Sequence, residues 1–66
     1  METIEYTVPS MSCAHCEAAI GEEVARVAGV TEVDADAGSK RVVVRGEQLD
    51  DAAIRDAIAE AGYEAA

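Results

Sequence analysis

The chain has 66 residues and carries 14 acidic against five basic side chains, so its formal net charge is −9. Binding to nucleic-acid phosphates or to an anionic membrane surface requires a basic patch, and this composition argues against both. Half of the residues are apolar, which excludes a disordered acidic tail, and residues 1–66 are predicted to form one domain.

The first half of the chain predicts a strand, a short polar loop and a helix. Apolar and polar residues alternate over residues 3–8, as in a strand with one buried face, and Pro9 ends it because it cannot donate to a ladder. From Cys16 the apolar residues recur at helical spacing, and Gly29 is expected to stop the helix near Ala28. The buried face of this helix is predicted to hold Cys16, Ile20, Val24 and Val27.

The second half predicts a hairpin, a second helix and a short last strand. Strands over residues 30–36 and 41–45 are close enough in sequence to pair as a hairpin. The next helix is capped by Asp50 or Asp51, and residues 63–66 form the last strand. The element order is therefore βαββαβ, which suits an α+β sandwich with a four-stranded antiparallel sheet and both helices on one face.

Both cysteines and the single histidine lie within the segment Met11–Cys16. Thiolates select Cu(I), zinc or iron–sulfur clusters, but a structural zinc site or a typical cluster needs four protein ligands. Cu(I) accepts two thiolates in a near-linear arrangement, so the ligand count favours a Cu(I) site on Cys13 and Cys16. Cys16 is expected at the helix start, where free N–H groups and the dipole lower the pKa of a thiol, and Cys13 in the mobile loop before it.

Redox chemistry is the main alternative for this pair of cysteines. Thioredoxin-like proteins also carry Cys-x-x-Cys, but they are longer and have a parallel βαβ core that this chain cannot accommodate. The N-terminal residues are acidic and alternating, unlike a signal peptide, and no apolar run approaches the ~20 residues of a membrane span. We therefore expect a cytoplasmic protein, in a reducing compartment that favours metal or redox chemistry over structural disulfides.

The pattern Met-x-Cys-x-x-Cys between an alternating strand and an amphipathic helix resembles the heavy-metal-associated domain family, and within it the small copper chaperones of bacteria and archaea. The likeness covers nearly the whole chain, including the helix-to-strand junction at Gly29-Val30 and the late loop at residues 61–63. It implies a ferredoxin-like fold, Cu(I) held by Cys13 and Cys16, and delivery of the ion to a copper-transporting P-type ATPase. Ser10 departs from the family, which often has Gly at that position.

Four further residues are expected beside the ion. Met11 is predicted to pack beneath the loop as an apolar plug, with a thioether ligand as the alternative. His15 could bind the metal, but its place between the two cysteines predicts that it points outward as a solvated imidazole that modulates the charge of the thiolates. Ser12 flanks Cys13, and the resemblance places Tyr63 close to the site, with a plain core or rim position as the alternative.

Other functions within the same family stay open. The chain could be an N-terminal metal-binding domain of a copper-transporting ATPase, although a start at Met1 without linker tails favours a free protein. A mercury carrier would usually show a signal peptide, and zinc-preferring relatives usually carry an acidic residue beside the first cysteine, where Ser12 and Ala14 stand here. We expect a monomer without metal that is open to metal-linked dimerisation, and the dispersed acidic residues suit a high-salt cytosol.

Overall fold

The computed structural model describes residues 1–66 and contains three strands and two helices. In chain order the elements are β1 (Glu2–Thr7), α1 (Ala14–Ala25), β2 (Val30–Asp36), β3 (Arg41–Gly46) and α2 (Asp51–Glu60). The strands form one antiparallel sheet in the order β1–β3–β2. The α+β class and the predicted hairpin of β2 and β3 are confirmed.

The alternation of the strands places one row of apolar side chains across the sheet. Ile4 of β1 pairs with Val44 of β3, which pairs in turn with Val33 of β2. Side chains two residues apart on a strand share one face, so the next row, Tyr6 with Val42, faces the same way. Both helices cover this face and share its core, whose fully buried side chains are Val8, Met11, Ile20, Val24, Val42, Val44, Ile54 and Ile58.

A polar contact joins β1 to α2 at the edge of the core. The Tyr6 hydroxyl donates to the Asp51 carboxylate over 2.6 Å. The Arg55 guanidinium donates to the same carboxylate and lies 5.3 Å from the centre of the Tyr6 ring. Burial, followed by the hydrogen bond to Asp51, raises the pKa of Tyr6 above its ordinary value.

The predicted fourth strand is wrong. The only backbone bond between residues 63–66 and β1 runs from the Ala66 N–H to the Thr7 carbonyl, over 2.7 Å. Tyr63 cannot join a ladder because its N–H donates to Ile58 at the end of α2. Only residues 64–66 remain to pair with β1, and a single hydrogen bond does not form the ladder that defines a strand.

The predicted end of α1 is also wrong, since the helix stops at Ala25 and not near Ala28. After Ala25 the hydrogen bonds change to the 3₁₀ pattern: the N–H groups of Arg26 and Val27 donate to carbonyls three residues earlier, over 3.2 and 3.0 Å. Gly29 has φ of +88°, and a Cβ there would collide with the Glu47 carbonyl oxygen. A glycine is therefore needed where the loop after α1 passes close to the loop after β3.

Neither helix has the length and apolar character needed to cross a bilayer.

Candidate metal centre

The loop that follows β1 is anchored by its apolar residues. The Val8 and Met11 side chains are fully buried, and the Met11 N–H donates to the Val8 carbonyl over 3.1 Å. Met11 therefore lies beneath the loop with its side chain in the core. Ser12, by contrast, is exposed, so the chain emerges from the core just before the first cysteine.

Helix α1 begins two residues earlier than the sequence predicts. Cys13 is its N-cap, with an extended backbone (φ −154°, ψ 171°), and its carbonyl accepts the first helical bond from Glu17 over 3.1 Å. The Cys13 backbone is thus fixed, and only its exposed side chain remains free to rotate. Cys16 lies in the first turn and is 8% exposed. His15 is exposed on the same turn.

The two thiols face each other. Their sulfur atoms lie 3.3 Å apart and both cysteines are free, because a disulfide would bring the sulfurs to about 2.05 Å. A metal ion held linearly between thiolates, each about 2.3 Å away, would need sulfurs about 4.6 Å apart. Only the exposed Cys13 side chain can rotate to open that gap, since Cys16 is buried. No third Cys, His, Asp or Glu clusters with the pair.

The surroundings of Cys16 favour its thiolate. A hydrogen bond from the Ser12 backbone, followed by one from the Tyr63 side chain and one from Cys13, lowers the pKa of Cys16 to about 6. Burial acts in the opposite direction and is outweighed. Ser12 therefore acts on the site through its backbone, because the chain turns there into the helix.

Tyr63 reaches this site because of the way α2 ends. Gly62 has φ of +95°, its N–H donates to Ala59 over 2.9 Å, and the Tyr63 N–H donates to Ile58 over 3.1 Å. This pair of bonds is a Schellman motif, which reverses the direction of the chain after α2. A residue with a Cβ in place of Gly62 would be strained at this positive φ. The reversal brings the half-buried Tyr63 side chain to Cys16, and the hydrogen bond between them raises the pKa of Tyr63.

One residue beside the loop is missed by the sequence analysis. This residue is Lys40, the only lysine of the chain. It is half-buried, has φ of +63°, and its Nζ donates to the Met11 carbonyl over 2.7 Å. Its partner stands 29 positions away in the sequence, so no local pattern could have revealed the contact.

Comparisons with known proteins point in one direction. The family model of the heavy-metal-associated domain matches residues 5–64. The copper chaperone CopZ of Enterococcus hirae is 40% identical over 63 residues, which cover 92% of this chain and 91% of that protein.

Solved structures share the arrangement of helices and strands. The CopZ metallochaperone has a TM-score of 0.92 at 27% identity, covering 98% of this chain and 100% of that chain. A copper-binding domain from HMA7, a P-type ATPase, has a TM-score of 0.91 at 26% identity, covering 100% of this chain and 92% of that chain.

Proposed function

The chain belongs to the heavy-metal-associated domain family, and from this premise we propose that it is a cytoplasmic copper chaperone. It binds one Cu(I) ion through Cys13 and Cys16 and passes it by ligand exchange to a copper-transporting P-type ATPase. The observation that carries this proposal is the unequal pair of thiols, one buried and the other exposed, with sulfurs 3.3 Å apart.

Binding follows from the state of the two sulfurs. Cys16 offers a thiolate at neutral pH, and an arriving ion displaces the proton of any thiol that is still neutral. Two thiolates and one Cu(I) leave a net charge of −1, which hydrogen bonds from the Ser12 backbone and from Tyr63 stabilise. His15 stays outside the coordination sphere, on the exposed side of the helix turn.

Transfer follows from the difference in exposure. A partner thiolate attacks the bound ion from the solvent side and forms a third bond to copper. The bond from Cys13 then breaks first, because its side chain is exposed and free to rotate. A second partner thiolate replaces Cys16, and the ion leaves as Cu(I) without a change of oxidation state and without being released into water.

The second candidate is a metal-binding domain within a copper-transporting ATPase, and the likeness to the HMA7 domain favours it. Both candidates share the same site chemistry, so metal binding does not separate them. The size of the protein in its native cells does: an immunoblot shows either a band near 6.9 kDa or a much larger transporter.

The metal site is tested by anaerobic titration of the reduced protein with Cu(I), Zn(II) and Hg(II) against competing chelators. Tight binding of one Cu(I) is expected, with both Cys13→Ser and Cys16→Ser abolishing it because one thiolate cannot compete with cellular thiols. His15→Ala should keep most of the affinity. A loss with His15→Ala as large as with either cysteine variant would contradict the two-thiolate site.

The handover is tested by stopped-flow transfer to an acceptor domain that carries Cys-x-x-Cys. Ligand exchange predicts a rate that rises with acceptor concentration, because the acceptor attacks before the ion leaves. A constant rate equal to the dissociation rate measured with an inert chelator would leave this protein a copper store and not a chaperone.

A further inference from the structure

The turn between β2 and β3 forms three hydrogen bonds with residues 8–17, the segment that includes both cysteines. The Val8 N–H donates to the Lys40 carbonyl over 2.8 Å, just before the loop. Lys40 Nζ donates to the Met11 carbonyl over 2.7 Å, two residues before Cys13. The Ala37 N–H donates to Glu17 Oε2 over 2.6 Å, one residue after Cys16. One turn is therefore hydrogen-bonded to the chain both before Cys13 and after Cys16.

Lys40 stands apart from the other cations of the chain. The chain has 14 acidic side chains, yet the Lys40 ammonium bonds to the backbone carbonyl of Met11. Each of the four arginines instead lies in an ion pair with a carboxylate: Arg26 with Glu23, Arg41 with Glu5, Arg45 with Glu32 and Arg55 with Asp51.

We propose that Lys40 is a positioning residue for the metal site. Through the Met11 carbonyl it fixes the segment that leads to Cys13, whose own backbone is held by the start of α1, so that the two sulfurs are held near each other before the ion arrives. Met11 is then fixed three ways: by its buried side chain, by its N–H to Val8 and by its carbonyl to Lys40. This inference rests on the proposed function, because it concerns the same Cu(I) site.

Loss of the ammonium should weaken binding because the loop must then be ordered when the ion binds. Lys40→Met keeps an unbranched side chain of similar length and removes the donor. We expect its Cu(I) affinity to fall about tenfold, which corresponds to the lower end of the range for a hydrogen bond to a charged group. Lys40→Arg retains a cationic donor and should recover most of the wild-type affinity.

Arg26→Met is the matched control, since it removes one positive charge from an exposed ion pair at the far end of α1. Chelator competition and thermal unfolding of the apo-protein are measured for all variants. Reduced affinity in Lys40→Met alone, with a melting temperature close to that of Arg26→Met, supports positioning. Equal affinities in the two methionine variants would overturn it, as would a loss of melting temperature in Lys40→Met with no change in affinity.

The wild-type protein offers an independent test, which also covers a Lys40→Met variant that fails to fold. Because Lys40 carries the only side-chain amine, its acetylation by an activated ester can be followed by mass spectrometry of one peptide. We expect modification several times slower than in the urea-unfolded chain, and a weaker copper site after hydroxylamine has removed any acetyl groups from the cysteine thiols. An acetylated protein that binds Cu(I) as tightly as the untreated one refutes the role of Lys40, whereas a wild type that binds no Cu(I) refutes the proposed function itself.

Discussion

Replacing Tyr63 by phenylalanine should raise the pKa of Cys16. The substitution keeps the aromatic ring and the backbone turn at Gly62 but removes the hydroxyl that donates to the Cys16 thiolate. The Ser12 backbone, which is the largest cause of the low value, is left in place. The pKa of Cys16 in the variant should therefore lie between about 6 and the ordinary 9.0.

The size of the effect follows from the two limits. With a pKa of about 6 the Cys16 thiol is about 90% ionised at pH 7, whereas a thiol with the ordinary value of 9.0 is about 1% ionised. The sign for stability is set by the same shift. Because the pKa is lower in the folded chain, ionisation of Cys16 stabilises the apo-protein fully above pH 9, and this contribution is lost as the pH falls towards 6.

Ultraviolet absorbance of the thiolate, followed from pH 4 to 9, measures this titration directly. The raised pKa values of Tyr6 and Tyr63 keep phenolate absorbance out of this range. The wild type should show a step near pH 6 that is absent in Cys16→Ser and moves upward in Tyr63→Phe. A step that stays in place in Tyr63→Phe would refute the hydroxyl contact, and a wild type without any step below pH 8 would refute the ionised Cys16.

Three further predictions concern stability and salt. Saturating Cu(I), at a hundred to a thousand times the dissociation constant, should stabilise the domain against thermal unfolding by about 3–4 kcal/mol, and an unmoved melting temperature would count against binding to the folded loop. Met11→Ala should lower the free energy of unfolding in urea by about 2–5 kcal/mol, whereas Met11→Leu should cost less than about 1.5 kcal/mol and leave Cu(I) affinity unchanged if the thioether is no ligand. Added potassium chloride should raise the melting temperature of the apo-protein by screening its net charge of −9, and a flat or falling dependence would remove the argument for a high-salt cytosol.

Elements with a strong local signal were predictable from the sequence. Strand β2 has the predicted bounds: Val33 and Ala35 alternate with acidic residues in its second half, and a turn with Gly38 follows it. Asp50 caps α2 as an aspartate at this position should, accepting bonds from the Ala52 and Ala53 N–H groups at 3.0 and 3.4 Å. In both cases the local preference and the tertiary packing agree.

Elements that depend on distant contacts were not predictable. The first two helical residues, Ala14 and His15, are exposed and add nothing to the apolar period, and the N-cap Cys13 makes no side-chain cap bond that would mark the start. Among the last four residues only Tyr63 is of a type that favours strands, and the turn at Gly62 takes its N–H away from any ladder. Lys40 acquires its role only when the fold brings the turn to the loop.

The direction of β1 decides where a surface anchor or a fluorophore can be attached. The N-terminal ammonium lies 3.4 Å from Glu47 Oε1, at the end of the sheet away from the cysteines, and β1 spans roughly 20 Å before the loop begins. The Ala66 N–H, by contrast, bonds to Thr7 where β1 enters the loop. Immobilisation through Met1 therefore leaves the cysteine end open to solution, whereas the same linker on Ala66 would obstruct an approaching acceptor.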